Sequence, residues 1–273
     1  MSVYAVRVRP RHNHDAVVAA LFDAGSTGVH EDGDTLVTSF PDDSAIASLR
    51  DRVARVDPGA EVEVDVVTPT DFSEWRGTVR AHTVGGITVA PPWVRVDGPG
   101  HVLAIEPAMA FGTGEHETTR LCLSLLQHVI KPGDTVADLG SGSAVLAIAA
   151  AKLGARSVAA IEIDPDATSN AEENVARNGV AEVVHLFEAD ATTLLPLIAP
   201  VRVVIANILS SVITELLPMI RASLPPGGEA IFSGILVTER DDVLARLREG
   251  GWSVAREESE GDWWSAVAVR SPR

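Results

Sequence analysis

Cysteine is nearly absent from this 273-residue chain, which carries Cys122 alone. A single thiol cannot close an internal disulfide or build a structural zinc site, so neither a covalent staple nor a metal site is expected, and Cys122 reads as core packing. Long apolar runs are missing too. None approaches the roughly 18 to 20 residues needed to span a bilayer. The N-terminus, MSVYAVRVRPRH, alternates apolar and polar residues and lacks both an apolar h-region and a small-residue cleavage site. It is not a signal peptide, and a soluble cytoplasmic protein with no membrane partner is expected. Positive charge is also short, at 22 basic against 38 acidic residues for a net charge of −16. Such a chain repels phosphate backbones, which disfavours a nucleic-acid substrate. An acidic surface suits a lysine-rich protein partner, although solubility alone accounts for the same charge.

What remains is the composition of a folded protein, 46% hydrophobic and 22% charged. The length admits one or two domains, and the patterning indicates two. Val3 to Val8 alternate as a strand, and Asp15 to Ala24 carry a helical apolar face ended by Gly25. A second strand begins over Thr27 to His30, a turn follows at Asp32-Gly33-Asp34, and Leu36 to Phe40 return as its partner. Ser44 to Val56 suit a helix and Glu61 to Val67 a last strand. The order β-α-β-β-α-β fits a small α+β ferredoxin-like domain over residues 1–67.

Between Thr68 and Pro99 the periodicity breaks at proline and glycine pairs, and residues 68–95 read as an interdomain linker. Over 96–273, short apolar runs alternate with helical segments: Val136 to Leu139, Val158 to Ile163, Val183 to Phe187, Val201 to Ala206 and Ala230 to Phe232. That alternation predicts a parallel sheet covered by helices. The tail strands, Trp252 to Arg256 and Trp263 to Val269, leave no room for a crossover helix and must pair antiparallel. An antiparallel hairpin on an otherwise parallel sheet separates the seven-stranded Rossmann-like methyltransferase plan from the six-stranded dehydrogenase plan.

Four segments carry the chemistry. In VADLGSGSAVLAIAAAKLG a buried strand runs into glycines and then a helix. Gly140 and Gly142 remove side chains where a nucleoside must approach backbone, and the helix start offers free N–H groups. Ala144 stands where a third glycine might be expected, a position assigned to helix–strand packing. Glu162, 22 residues after Gly140, ends the next strand, where a carboxylate can accept both ribose hydroxyls; Asp164-Pro165 fits the cap of the following helix. Asp190, after the third strand, is placed to meet an adenine amino group or to remain a solvated loop residue. AMAFGTGEHETTRLCLSLL feeds a helix whose Cys122, Leu125, Leu126, Val129 and Ile130 form one apolar face. That leaves Thr118 and Thr119, with His116 and Glu117, to hold a ligand's amino-acid end or to cap the helix. In VVIANILSS, Asn207 ends the fourth strand; its amide can orient an incoming amine or form a turn.

Together, AFGTGEHETTR, DLGSGSAVLAIAAAKLGA, IEIDPDATSNAEENVARNGV and ANILSSVITELLPMI resemble the PrmA family, bacterial methyltransferases of the large-subunit ribosomal protein L11. The resemblance spans nearly the whole catalytic half. It implies a class I methyltransferase domain using S-adenosyl-L-methionine and a protein substrate methylated on lysine side-chain amines and the N-terminal amine. It also implies that the N-terminal domain grips that substrate. By motif, Thr119, Gly140, Glu162 and Asn207 fall at the family's cofactor-contacting positions, Asn207 also being the catalytic candidate. The chain departs from the pattern at Glu162, where Asp is usual, at Ala144, where Gly is usual, and at Phe72, where Trp is common. Rival readings are a methyltransferase for another protein or small-molecule amine, one for release-factor glutamine or nucleic-acid bases, or a non-catalytic ribosome-binding protein. Glutamine and base methyltransferases commonly carry Asn-Pro-Pro-Tyr after strand four. Here Asn207 precedes Ile208-Leu209-Ser210, without that aromatic platform. No general base is assigned.

Overall fold

The computed structural model describes residues 3–26, 29–32, 35–40, 43–67, 79–106 and 114–271. The chain divides into two compact units, Met1–Thr78 and Val79–Arg273.

In the first unit, β1 (Val3–Arg9), α1 (His14–Asp23), β2 (Val29–Asp32), β3 (Thr35–Phe40), α2 (Asp43–Val56) and β4 (Glu61–Val67) follow in chain order. The sheet order is β2-β3-β1-β4, with every neighbour antiparallel. Period-two alternation puts Val6 and Val8 of β1 inward, and the i, i+4 pair Val17 and Leu21 of α1 meets them; Leu36, Phe40, Leu49 and Val53 complete this core. Asp57 ties the unit together. Its Oδ2 accepts the N–H groups of Arg11, His12 and Asn13 at 2.8, 2.8 and 3.1 Å, so the loop after β1 is pinned to the loop after α2. These backbone donors, the bond from His12 foremost, hold the Asp57 carboxyl down at about 2. Gly33 and Asp34 of the expected turn lie outside the described residues.

The second unit opens with β5 (His82–Val84), β6 (Ile87–Ala90) and β7 (His101–Ala104). β5 and β6 pair antiparallel, and β6 and β7 parallel. This corrects the expected linker. Residues 79–95 belong to the second unit and bury Ile87 and Val89 in its core, while 68–78 lie outside the described residues. Gly85-Gly86 and Pro91-Pro92 bound the two strands so tightly that their alternation is too short to read.

Next come α3 (Glu117–Val129), β8 (Thr135–Leu139), α4 (Val145–Lys152), β9 (Ser157–Glu162), α5 (Pro165–Arg177), β10 (Val184–Glu188), α6 (Ala191–Ile198) and β11 (Val203–Asn207). The chain continues through α7 (Ser210–Ser223), β12 (Glu229–Leu236), α8 (Arg240–Glu249), β13 (Trp252–Glu260) and β14 (Trp263–Arg270). One large mixed sheet runs β10-β9-β8-β11-β12-β14-β13. Neighbours are parallel from β10 through β12, then antiparallel through β14 and β13. Both faces are covered, as expected for strands that are apolar throughout. Val203 and Ile205 face a core with Leu125 of α3 and Ile148 of α4. Their neighbours Val204 and Ala206 face the other, with Ile213 of α7 and Leu247 of α8.

β12 runs four residues beyond the expected Phe232, because a register shift at Ser233-Gly234 lets it bend and continue. Glycine is required there. Gly234 has φ +81°, and a Cβ would stand 2.3 Å from the carbonyl oxygen of Ile208. No helix among the described residues is long and apolar enough to cross a membrane.

Candidate active site

The strand order turns back between β8 and β11, and there, past the carboxyl ends of the strands, lies a cavity of about 550 Å³. Gly140, Glu162, Ile163, Asp190, Asn207 and Trp263 line it. That volume is within the range of small-molecule and cofactor pockets, about 300 to 1,000 Å³.

The glycine turn forms one wall. Gly140 and Gly142 have φ values of +68° and +51°, and a Cβ on Gly140 would stand 2.6 Å from Cγ2 of Ile208. Ala144 is the single non-glycine residue with positive φ among the described residues, at +63°, with its methyl wholly buried. The packing role assigned to this position is therefore incomplete. A left-handed alanine costs about 1 to 2 kcal/mol, and its buried methyl returns about 0.8 kcal/mol, so alanine is tolerated here at a net cost of about 0.2 to 1.2 kcal/mol.

Glu162 is held by three backbone donors. Gly142 N–H reaches Oε2 at 2.8 Å, and Ile163 and Asp164 reach Oε1 at 2.9 and 3.1 Å. A carboxylate offers about four acceptor positions, so roughly one stays open where acceptance of two ligand hydroxyls was expected. Asp164 caps α5 through Asp166 N–H, as its sequence predicts. Asp190 caps α6: its Oδ1 accepts both N–H and Oγ1–H of Thr192 at 2.7 Å. The Thr192 hydroxyl, more than any other group, lowers the Asp190 pKa.

Asn207 projects from the end of β11 with its Oδ1 buried and unpartnered. Thr119 is fully buried with an unpartnered hydroxyl, but it is Thr118 that lines the cavity among the described residues. The reason is helix phase. His116 caps α3, its Nδ1 lies 2.8 Å from Thr118 Oγ1, and the cap turns position 118, itself buried, toward the cavity and 119 into the core. Gly142 likewise stands behind the lining, serving Glu162. His116 stacks edge-on against Trp263 with ring centres 5.1 Å apart, closing the side by β14. Neither Trp263 nor Gly234 was legible as a site residue, since both reach the cavity only through the antiparallel end of the sheet. Phe72 and residues 107–113 of the glycine-punctuated loop lie outside the described residues.

Two buried features stand behind the walls. Asp138, on β8, is pushed up to about 7, chiefly by burial, with Glu162 adding to the rise and a bond from Ala147 N–H opposing it. Its Oδ2 has no partner. Asn174 of α5 is fully buried and uses its whole amide: Oδ1 accepts Glu106 N–H at 2.9 Å and Arg177 Nη1 at 2.8 Å, while Nδ2 donates to Ser143 O at 3.1 Å and Asn170 Oδ1 at 3.3 Å. It thereby fixes the glycine turn to the residue from which the 107–113 segment departs. Cys122, in the core beneath α3, has its thiol pushed up to about 12 by burial and is inert. No group of metal-ligating side chains occurs among the described residues.

The family model of the ribosomal protein L11 methyltransferase (PrmA) matches residues 8–271. The ribosomal protein L11 methyltransferase of Thermus thermophilus is 36% identical over 250 residues, covering 91% of this chain and 92% of the relative. That of Myxococcus xanthus is 36% identical over 237 residues, covering 85% and 80%. Among solved structures, ribosomal protein L11 methylase from Lactobacillus delbrueckii subsp. bulgaricus superposes with a TM-score of 0.65 at 29% identity, over 71% of this chain and all of that one. With an α/β methyltransferase fold and a family match across almost its full length, the chain belongs to the ribosomal protein L11 methyltransferase family.

Proposed function

We propose that this protein transfers methyl groups from S-adenosyl-L-methionine to lysine side-chain amines and the N-terminal amine of ribosomal protein L11, in the cytoplasm. The observation that carries the reading is the buried, unpartnered Oδ1 of Asn207 at the cavity floor. A buried acceptor without a donor costs stability unless a ligand supplies one, and an incoming amine N–H is such a donor. On this reading the second unit is a seven-stranded, Rossmann-like class I methyltransferase domain. The β2-β3-β1-β4 order of the first unit supports a ferredoxin-like domain, to which substrate recognition is assigned.

The residues present fit the cofactor. The glycine turn offers close backbone approach at Gly140, where a side chain would collide with Ile208. Glu162 keeps an acceptor position for ribose, and Asp190 keeps Oδ2 for the adenine amino group. Ile163, exposed at the cavity wall, supplies an apolar surface for the base. When bound, S-adenosylmethionine supplies an electrophilic methyl on a sulfonium.

The amine must arrive neutral, because a protonated lysine has no lone pair. Apolar walls disfavour the ammonium form, and Asn207 Oδ1 takes one amine N–H so that the lone pair is aimed at the methyl. Thr118 joins Thr119 as a candidate for the cofactor's amino-acid end, Thr118 from the lining and Thr119 from behind. Radiolabelled methyl transfer from S-adenosylmethionine to purified L11 tests the assignment. Label on L11 lysines and N-terminus is expected; label on release factor or ribosomal RNA alone would overturn it.

A further inference from the structure

Among the described residues, eight large hydrophobic side chains are exposed, and five of them, Ile163, Leu209, Val212, Leu236 and Val237, lie just past the carboxyl ends of the parallel strands or at the end of β12. Isolated exposed hydrophobics are ordinary, but contiguous ones mark contact surfaces. Ile163 lies on the β9 side, assigned above to the base. The other four stand on the opposite side of Asn207: Leu209 and Val212, 70% and 38% exposed, line the cavity at the start of α7, and Leu236 and Val237, 39% and 44% exposed, follow Gly234.

One carboxylate holds the two loops together. Glu239 Oε1 accepts the hydroxyl of Ser210 at 2.6 Å, and Oε2 accepts Leu236 N–H at 2.9 Å. Val237 N–H is bonded in turn to Asp262 O at 2.8 Å, tying the ridge to the β13–β14 turn. These donors, the Ser210 hydroxyl foremost, lower the Glu239 pKa, so the clasp keeps its negative charge and draws an arriving ammonium toward the ridge.

Resting on the methyltransferase reading above, we infer that Leu209, Val212, Leu236 and Val237 form a docking ridge for the segment of the protein substrate that bears the target amine. The occupant follows from continuity and chemistry. The ridge is continuous with the cavity wall beside Asn207 through Leu209 and Val212, so an amine presented from that side runs along it. A lysine carries a four-carbon stem that lies well on apolar surface. An aliphatic approach strips water from the ammonium and favours the neutral nucleophile the reaction needs. The ridge thus selects the amine at close range and prepares it, a task separate from any remote grip.

The test compares the full-length wild type with Leu236→Ser/Val237→Ser, positions outside the cavity lining, on intact L11. The variant is expected to raise the KM for L11 about tenfold and to move the acidic limb of the kcat profile, which reports the bound amine, to higher pH. Its Kd for S-adenosylmethionine should stay within twofold. Leu197→Ser, equally exposed on α6 away from the ridge, should change nothing. If the double variant melts early, Val237→Thr carries the same comparison with an isosteric side chain. An unchanged KM for L11 overturns the inference, as does sedimentation showing that the substitutions instead dissociate a wild-type dimer. Should the wild type bind L11 without methylating it, the methyltransferase reading fails. The ridge is then judged on the Kd for L11, equal values in wild type and variant refuting it.

Discussion

The carboxylate of Glu162 accepts the backbone N–H of Gly142 at 2.8 Å, so the acid at the end of β9 holds the glycine turn that follows β8. The residue assigned to the cofactor's ribose is therefore also a structural clamp on the neighbouring wall. Glu162→Ala should weaken S-adenosylmethionine binding by about 1 to 3 kcal/mol, the cost of lost hydrogen bonds to a charged acceptor. It should also lower Tm, since three backbone donors lose their partner. Calorimetry and thermal melting read the two effects separately. A variant with lowered Tm and unchanged affinity would leave Glu162 as a clamp only.

Asn207→Ala is expected to lower kcat by a factor of ten or more with near-normal cofactor affinity, because the amide is assigned to the amine in the transition state. Removing the unpartnered Oδ1 also relieves a buried acceptor, so stability should hold or rise. Steady-state kinetics beside cofactor titration decides; wild-type turnover would leave Asn207 with its turn-forming role alone.

Asn174, in the last turn of α5, and Asn178, its C-terminal cap, separate positioning from stability. Asn178 pairs with β7 as a strand would, its Oδ1 accepting Ala104 N–H at 2.9 Å and its Nδ2 donating to Ala104 O at 2.8 Å, without touching the glycine turn. Alanine at either position should lower Tm. Only Asn174→Ala, which removes the bond to the Ser143 carbonyl, should weaken cofactor binding, by about tenfold or 1.4 kcal/mol. Equal cofactor affinities in the two variants would make Asn174 a purely structural residue.

Asp138 predicts an unusual pH dependence of stability. Its folded pKa of about 7 lies above the ordinary carboxyl value of 3.8, so between those values the folded state holds a proton that the unfolded state has released. The contribution is present near pH 4, is lost as pH rises to about 7, and is flat beyond. Asp138→Asn, neutral at every pH, should therefore gain on the wild type by a few kcal/mol, on the order of the shift, across that window. Denaturant melts at pH 5 and pH 8 measure it; a pH-independent difference would mean that Asp138 is charged throughout.

The division of the chain at Thr78 predicts how the second unit behaves alone. A fragment from Val79 to Arg273 should fold and bind S-adenosylmethionine, and should methylate L11 with a reduced kcat/KM. A fragment beginning at Val96 should melt lower, because it removes β5 and β6 and with them Ile87 and Val89 from the core, each worth about 1.5 to 3 kcal/mol of burial. Equal kcat/KM for the Val79 fragment and the full chain would show that the first unit is dispensable for finding the substrate.

The sequence by itself determined the order of strands and helices in the first unit and from α3 onward in the second, because Val6, Val8, Val17 and Leu21 or Val203 to Ala206 carry periodicities that only one kind of element can bury. It also determined the glycine turn, the Asp164 cap and the position of Asn207, since local backbone demands act within a few residues. The tertiary structure alone decided that Thr118 rather than Thr119 lines the cavity, because the phase of α3 is set by its His116 cap and its packing on the sheet. It alone brought Trp263 and Gly234 to the site across the antiparallel edge, and it recovered β5 and β6 from an apparent linker. The physical reason is range. Periodicity and capping are written by neighbours in the chain. Which buried carboxyl stays protonated at Asp138, which donors consume Glu162 and which exposed side chains join into one ridge depend instead on groups that meet only when distant strands pair.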